Sequence, residues 1–253
     1  MSVAYAMEVQ SKKVAVFSEQ NGRKIQEDRF YHGIVDGGNL YAVYDGHLGE
    51  SVADFLAKNF HHYFSRTSGT IRERMMQAFK NADDAKKIRK NNHCGAAAAI
   101  VFVKDNVAHF AHVGDVRALL EGNGQVVFAT RDHTPDRADE YIRIEDKKGA
   151  QFADSMKSFL ILSRSFGDYG FNKDIIIAEP DYEEIQLTQQ YKFLVLATDG
   201  LWSVVSNQEV ASILDEKWSR VKDINLLAKM LGMFAMQRNS KDNITIMLVD
   251  LLS

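Results

Sequence analysis

Three aspartates stand at the ends of strongly apolar runs, where their carboxylates could do chemistry together. The aspartates and their runs are Asp45 after 40–44, Asp199 after 193–198 and Asp242 before 244–251. Such a run is typical of a buried strand, whose end residues lie at the edge of a sheet. If the first two strands run one way and the third returns, the three carboxylates meet at one edge. Asp-Gly is also a common turn dipeptide, so the prediction depends on all three ends together.

Carboxylates gathered in this way favour a hard divalent cation, because they repel one another unless protonated or bridged by cations. Oxygen ligands select Mg²⁺ or Mn²⁺ over zinc. Glu27-Asp28 adds two carboxylates, and Gly46 has no side chain to keep its carbonyl from an ion. Two ions about 3.5–4 Å apart can turn a bridging water into hydroxide near neutral pH. The guanidinium of Arg23 could bind a phosphate group through two parallel hydrogen bonds. Together with the carboxylates, it predicts phosphate-ester hydrolysis.

The elements that would carry these residues are strands in runs and helices in pairs. Strands are predicted over 40–44, 97–103, 107–113, 118–120, 126–129, 193–198 and 244–251. Capping boxes at Thr70-x-x-Glu73 and Ser206-x-x-Glu209 predict helix starts within the helical regions 50–90 and 206–238. Gly122-Asn123-Gly124 predicts a hairpin turn. Paired helices and meandering strands favour layered antiparallel sheets covered by helices over a doubly wound sheet.

Composition excludes several classes of protein. The chain has 253 residues, 45% of them hydrophobic, and predicts a single domain over 1–253. A net charge of −3 gives no basic footprint for nucleic acid. One cysteine, Cys94, fits a reducing compartment, so an intracellular protein of the cytoplasm or nucleus is expected. Neither a membrane-spanning apolar run nor a secretory signal at the start is recognised.

Seven short segments, taken in order, resemble the motif series of the type 2C metal-dependent protein phosphatases. They are Gly22-Arg23 with Glu27-Asp28, Tyr44-Asp45-Gly46-His47, Val113-Gly114-Asp115-Val116-Arg117, Arg131-Asp132-His133-Thr134-Pro135, Leu162-Ser163-Arg164-Ser165-Phe166-Gly167-Asp168, Ala197-Thr198-Asp199-Gly200-Leu201-Trp202 and Ser240-Lys241-Asp242-Asn243-Ile244-Thr245. Each segment alone is weak, but seven in order over about 22–250 are specific. The resemblance implies an α+β fold, a four-layer α/β/β/α sandwich of two stacked antiparallel sheets flanked by helix pairs. It also implies hydrolysis of phosphoserine and phosphothreonine in proteins, without a phosphoenzyme.

The resemblance further implies two Mg²⁺ or Mn²⁺ ions and the residues that hold them. Asp45 would bridge both ions and the Gly46 carbonyl would bind one of them. Asp199 and Asp242 would hold the other.

The remaining site residues also come from the resemblance. Glu27 and Asp28 would act on metal-bound waters or directly at the site, and Arg23 would bind the substrate phosphate. His47 would be the general acid that protonates the leaving alkoxide, since histidine titrates near neutrality.

One departure concerns a third ion. Relatives use an aspartate four residues after the Asp199 position, together with the position of Asp115, to hold a weaker third metal. Here the first of these is Ser203, a neutral and poorer ligand, so the expectation is two ions, and a third through Asp115 stays open.

Two alternatives remain open on the sequence. One is an inactive relative that binds phosphoproteins or a partner, although such proteins usually lose metal aspartates that this chain keeps. The other is a phosphodiesterase or nuclease, which would call for a basic stripe. A cysteine phosphatase is disfavoured, because arginine is needed where Ile100 stands, and Cys94 is interpreted as a small buried residue.

The partners expected are phosphorylated proteins, with no nucleic acid, no membrane insertion and a monomeric chain. The histidines His109, His112 and His133 are interpreted as structural, and Arg164 with Asp168 as a structural ion pair.

Overall fold

Blocks of strands and blocks of helices follow one another along the chain. A computed structural model describes residues 12–90, 93–159 and 162–253. Its strands are β1 Lys13–Glu19, β2 Arg29–Val35, β3 Gly38–His47, β4 Gly95–Lys104, β5 Val107–Val113, β6 Arg117–Gly122, β7 Gln125–Ala129, β8 Phe166–Gly167, β9 Asp181–Gln186, β10 Phe193–Ala197 and β11 Ile244–Asp250. Its helices are α1 Ser51–Ser65, α2 Ile71–Asp83, α3 Lys86–Arg89, α4 Ala138–Lys148, α5 Ala150–Phe159, α6 Asp199–Trp202, α7 Asn207–Val221 and α8 Ile224–Gln237. No helix among these residues is both long and apolar enough to cross a bilayer.

The strands form two antiparallel sheets. Sheet I has the order β1-β11-β10-β6-β7, and sheet II has the order β2-β3-β4-β5-β9, with β8 paired to β4. Every predicted strand is present, which confirms the mixed fold with antiparallel sheets. The predicted hairpin between β6 and β7 is also present, since Asn123 and Gly124 have φ of 54° and 75°, as a turn of the primed type requires.

Three apolar cores separate the layers. In β3, Tyr41 and Val43 face the core between the two sheets, whereas Leu40, Ala42 and Tyr44 face the core under α1 and α2. This alternation follows from the period of two in a strand. A third core lies between sheet I and helices α6, α7 and α8. The order is therefore helices, sheet, sheet, helices, as predicted.

The strands that the sequence does not predict lie mostly at sheet edges. β1 is an edge of sheet I, and β2 and β9 are the edges of sheet II. Their side chains are largely half-buried or exposed, so they lack an apolar run. Helices α4 and α5 fall in the segment 136–159, whose pattern is loose because α4 buries little besides Glu140 and Ile144.

A buried carboxylate ties α4 to the segment before β8. Glu140 accepts hydrogen bonds from Arg164 Nη2 at 2.5 Å and from Arg143 Nη2 at 2.8 Å. Arg164 is thus held by Glu140, whereas Asp168, its predicted ion-pair partner, bonds His47. Burial raises the pKa of Glu140, but the hydrogen bonds from Arg164 and Arg143 outweigh it and lower the pKa to about 2.

The first prediction concerns this ion-pair cluster. Glu140→Gln should lower the free energy of unfolding by about 3 kcal/mol at pH 7, because two partly buried guanidinium groups lose the buried carboxylate that pairs with both. The folded-state pKa lies below the ordinary value of 4.5. The wild-type advantage is therefore complete above about pH 4.5 and is lost as the pH falls toward 2. Urea unfolding at several pH values measures it.

The matched control is Asp146→Asn, which removes an exposed carboxylate from the same helix and should change stability by less than about 0.5 kcal/mol. Equal effects of the two substitutions, or a wild-type advantage that does not vary with pH, would contradict the role given to Glu140.

Candidate active site

One pocket of about 480 Å³ brings most of the predicted site residues together. Those that line it are Arg23, Glu27, Asp45, Gly46, His47, Asp115, Asp199 and Asp242. Asp28 is buried, and its Oδ2 accepts a hydrogen bond from Thr198 Oγ1 at 3.1 Å, while Oδ1 has no partner among the described residues. Ser203 is exposed after the last turn of α6 and does not line this pocket.

Strand direction explains this convergence. Asp199 lies two residues after the end of β10, and Asp242 lies two residues before the start of β11. The two strands are antiparallel neighbours, with Ala197 opposite Ile246, so the end of one lies beside the start of the other. Asp45 lies near the end of β3, in the other sheet.

The glycines after two of these aspartates are required by close approach. A Cβ at Gly46 would lie 2.8 Å from the carbonyl oxygen of Glu27, and a Cβ at Gly200 would lie 1.9 Å from that of Asn243. Neither distance is sterically acceptable for a side chain. The Asp-Gly pairs therefore pack against neighbouring backbone at the pocket, unlike ordinary surface turns.

Burial and neighbouring charges raise the pKa values of three aspartates at or beside the pocket. Burial, followed by the charges of Asp28, Asp199, Asp115 and Asp242, raises the pKa of Asp45 well above its ordinary range. Burial, with the charge of Asp199 next, raises the pKa of Asp115 to about 7. Burial also raises the pKa of Asp28 to about 7, although hydrogen bonds from threonines oppose it.

This donor set suits hard divalent cations. Six carboxylates line a single pocket, and five of them belong to the predicted set or stand beside it, namely Glu27, Asp45, Asp115, Asp199 and Asp242, while the sixth is Asp168. Their mutual repulsion would be relieved by positive charge, and oxygen donors are what Mg²⁺ and Mn²⁺ take. The residues present therefore fit the metal chemistry that the sequence predicts.

Arg23 supplies positive charge at the mouth of the pocket. Its Nη2 lies 2.5 Å from Asp242 Oδ2, and about half of the arginine side chain is exposed. The hydrogen bond to Asp242 raises the pKa of Arg23, with the charges of Asp199 and Glu27 adding to it despite some burial. The guanidinium is therefore cationic, and it stands where an anion would enter.

His47 is held by an aspartate that the sequence does not assign to the site. Its Nε2 lies 2.9 and 2.8 Å from the two carboxylate oxygens of Asp168, which is 3% exposed. Burial lowers the pKa of His47, but the hydrogen bond and charge of Asp168 outweigh it, so the net shift is upward. Gly95 makes room for the pair, because a Cβ there would lie 2.3 Å from both partners.

The sequence around Asp168 carries a pattern that could have indicated a site residue. It ends the segment 162–168 and, like Asp45 and Asp199, stands in a Gly/Asp dipeptide beside a strand. Asp168 has φ of 54°, and its backbone N–H donates to the carbonyl of Cys94 at 3.0 Å. Cys94, predicted to be buried, is instead partly exposed.

A separate group of ligand-type side chains lies elsewhere in the described part of the chain. Donor atoms of His112, His133 and Asp181 lie within 4.8 Å of one another. Asp181, however, accepts from Arg137 Nη2 at 2.9 Å and lies 3.1 Å from Arg164 Nη1. These guanidinium groups balance its charge and would repel an added cation. Burial lowers the pKa of His112 to about 3 and also lowers that of His133, which favours neutral, structural histidines.

Comparison with known protein families gives one match over most of the chain. The family model described as "Protein phosphatase 2C" matches residues 13–244. "Probable protein phosphatase 2C 59" of Arabidopsis thaliana is 31% identical over 252 residues, covering 94% of this chain and 79% of the relative. "Probable protein phosphatase 2C 45" of Oryza sativa subsp. japonica is 30% identical over 249 residues, covering 93% and 86%.

Solved structures share the fold. A serine-threonine phosphatase 2C from Toxoplasma gondii superposes with a TM-score of 0.76 at 23% identity, over 94% of each chain. A C. elegans sex determining protein superposes with a TM-score of 0.84 at 20% identity, over 96% of this chain and 65% of that chain. The layered architecture therefore recurs in proteins of low sequence identity.

The second prediction tests the charge repulsion in the pocket. Asp45→Asn should raise the free energy of unfolding by about 1 kcal/mol or more at pH 8 in chelator, because a raised pKa means that the charged form destabilises the fold. The same substitution should weaken the stabilisation by Mn²⁺. Thermal unfolding with chelator and with a Mn²⁺ series measures both effects.

Asp105→Asn, at an exposed turn between β4 and β5, is the control. It should change neither the stability in chelator nor the stabilisation by Mn²⁺. Lower stability of Asp45→Asn in chelator, together with an undiminished Mn²⁺ effect, would contradict the assignment.

Proposed function

The chain belongs to the protein phosphatase 2C family, and on that basis we propose that it hydrolyses phosphoserine and phosphothreonine in proteins at the acidic pocket. The observation that supports this site most directly is the convergence of Asp45, Asp199 and Asp242 from distant strand ends, with Arg23 at the mouth. Such an arrangement suits a phosphate ester, whose charge needs cationic partners in the transition state.

The pocket would hold two Mg²⁺ or Mn²⁺ ions, with Asp45, the carbonyl of Gly46, Asp199 and Asp242 as ligands. When bound, the ions lower the pKa of water and attract phosphoryl oxygens. Asp28 Oδ1, which has no partner among the described residues, would accept a hydrogen bond from water.

Two further carboxylates complete this proposed shell. Glu27 has one carboxylate oxygen engaged by the backbone N–H of Gly49 at 2.6 Å, so the other would serve water or an ion. Asp115 would serve a third ion if one binds.

Arg23 would bind the phosphate of the substrate. Its planar fork can donate two parallel hydrogen bonds to phosphoryl oxygens. At present the guanidinium is paired with Asp242. If Asp242 held a metal ion, the guanidinium would be free to turn toward the phosphate. The hydrolysis yields inorganic phosphate and the free hydroxyl of serine or threonine.

His47 would give a proton to the leaving oxygen of the substrate residue as the bond to phosphorus breaks. Because Nε2 is bonded to Asp168, the proton would leave from Nδ1. Asp168 fixes the ring orientation and stabilises the imidazolium, so it is a positioning residue acting through His47. A water molecule later returns the proton.

We propose that the chain acts as one catalytic domain and as a monomer on phosphorylated proteins. Its one cysteine, Cys94, favours a reducing compartment such as the cytoplasm or nucleus.

The third prediction tests the activity itself. A phosphothreonine peptide should be hydrolysed with Mn²⁺ and not with chelator, and Asp199→Asn should lower the rate roughly 100-fold or more, the scale of losing a charge-stabilising group. Released phosphate measures the rate, and Asp105→Asn is the control. Activity that persists in chelator would refute the metal mechanism. A folded, Mn²⁺-binding chain without activity would favour the inactive relative.

The fourth prediction separates positioning of His47 from general damage. Asp168→Asn should slow hydrolysis of a phosphothreonine peptide roughly 100-fold, because the alkoxide needs a proton. Hydrolysis of p-nitrophenyl phosphate should fall far less, because its leaving group needs none. In a His47→Ala background, Asp168→Asn should add little.

An equal loss with both substrates, or a full additional loss in the His47→Ala background, would make Asp168 merely structural. Asp174→Asn, an exposed aspartate six residues further on, is the matched control.

A further inference from the structure

An exposed apolar patch borders the acidic pocket. Leu48 and Phe171 both line the pocket and are 67% and 45% exposed. We call these two side chains the apolar rim. The pocket wall continues with Leu162, Ile176 and Ala97, of which Ile176 and Ala97 are buried. A strongly acidic pocket therefore also has an apolar lining.

The backbone of Leu48 is held in an unfavourable conformation. Its φ is 56°, in the left-handed region that leucine rarely adopts. Two contacts fix the neighbouring backbone, since Cys94 Sγ donates to the Leu48 carbonyl at 2.9 Å and Gly49 N–H donates to Glu27 Oε1 at 2.6 Å. A strained residue that also leaves a large apolar side chain in water points to a function at that position.

Phe171 is presented by the turn that carries Asp168. The backbone N–H of Phe171 donates to the carbonyl of Asp168 at 2.9 Å, which closes this turn. Leu48 directly follows His47 in the sequence. One member of the rim therefore follows His47 in the chain, and the other lies in the turn of Asp168. In the proposed reaction, His47 gives its proton to the leaving oxygen of the substrate, so the rim lies near that oxygen.

We propose that the apolar rim binds an apolar side chain of the substrate, next to the phosphorylated serine or threonine. This inference rests on the proposed function, because the leaving oxygen belongs to the substrate residue and its chain must continue past His47 and Asp168. Polarity supports the same occupant. Leu48 and Phe171 offer exposed apolar surface and carry no charge that could pair with an acidic side chain, whereas burial against them favours an apolar one.

The test compares phosphothreonine peptides that differ in one residue beside the phosphothreonine, which is leucine, alanine or glutamate. One series varies the preceding residue and a second varies the following residue, all with Mn²⁺. In at least one series, kcat/KM should follow the order leucine, alanine, glutamate. Leucine should exceed alanine by roughly tenfold, the scale of burying a few methylene groups.

Two rim variants assign the preference to these side chains. Leu48→Asn removes the apolar group while tolerating the left-handed backbone, and Phe171→Ala removes the ring. Each should reduce the leucine-to-alanine ratio to below about threefold, the loss of most of one apolar contact. The ratio is internal to each variant, so a general loss of activity does not imitate this result. Ile142→Ala, an exposed apolar residue of α4 outside this pocket, should keep the wild-type ratio.

The outcomes separate the rim from the proposed function. If all peptides of both series are hydrolysed with equal kcat/KM, or if the leucine-to-alanine ratio is unchanged in both rim variants, the role proposed for the rim is wrong. The proposed phosphatase activity is not affected by either result. No hydrolysis of any peptide with Mn²⁺ overturns both. A second copy of this chain as occupant would appear as a dimer that Leu48→Asn dissociates, with no dependence on the flanking residue, and this too overturns the proposal.

Discussion

Repulsion among carboxylates is the constraint on which this molecule depends. Asp45, Asp115 and Asp199 are brought into one pocket by the buried strands β3, β5 and β10, near whose ends they lie. Their raised pKa values record the cost of this arrangement in the absence of cations. A protein that needed only stability would place apolar or paired residues there. The pocket is therefore best explained by cations that the carboxylates bind.

The surrounding structure keeps this unfavourable arrangement in place. The backbone approaches closely at Gly46 and Gly200, which locks each aspartate against a neighbouring segment. At His47, the left-handed backbone at Asp168 and the space at Gly95 bring a buried carboxylate against the imidazole ring. Strain and repulsion are thus concentrated at one pocket, while the three apolar cores supply stability elsewhere.

Much of this could be predicted from the sequence, because buried strands leave apolar runs and Asp45, Asp199 and Asp242 stand at their ends. The edge strands β1, β2 and β9 could not, since half-exposed strands carry mixed side chains. The position of Asp168 could not be assigned either, because its contact with His47 spans 121 residues and depends on the pairing of β8 with β4.

The proposed site of the divalent ions is the acidic pocket and not the group of His112, His133 and Asp181. Anomalous scattering from crystals grown with manganese tests it most directly, because it locates each ion independently of activity. The account predicts two manganese peaks within ligand distance of Asp45 and none between His112, His133 and Asp181. Peaks only at those three residues, with the carboxylates of the acidic pocket turned apart around water, would contradict it.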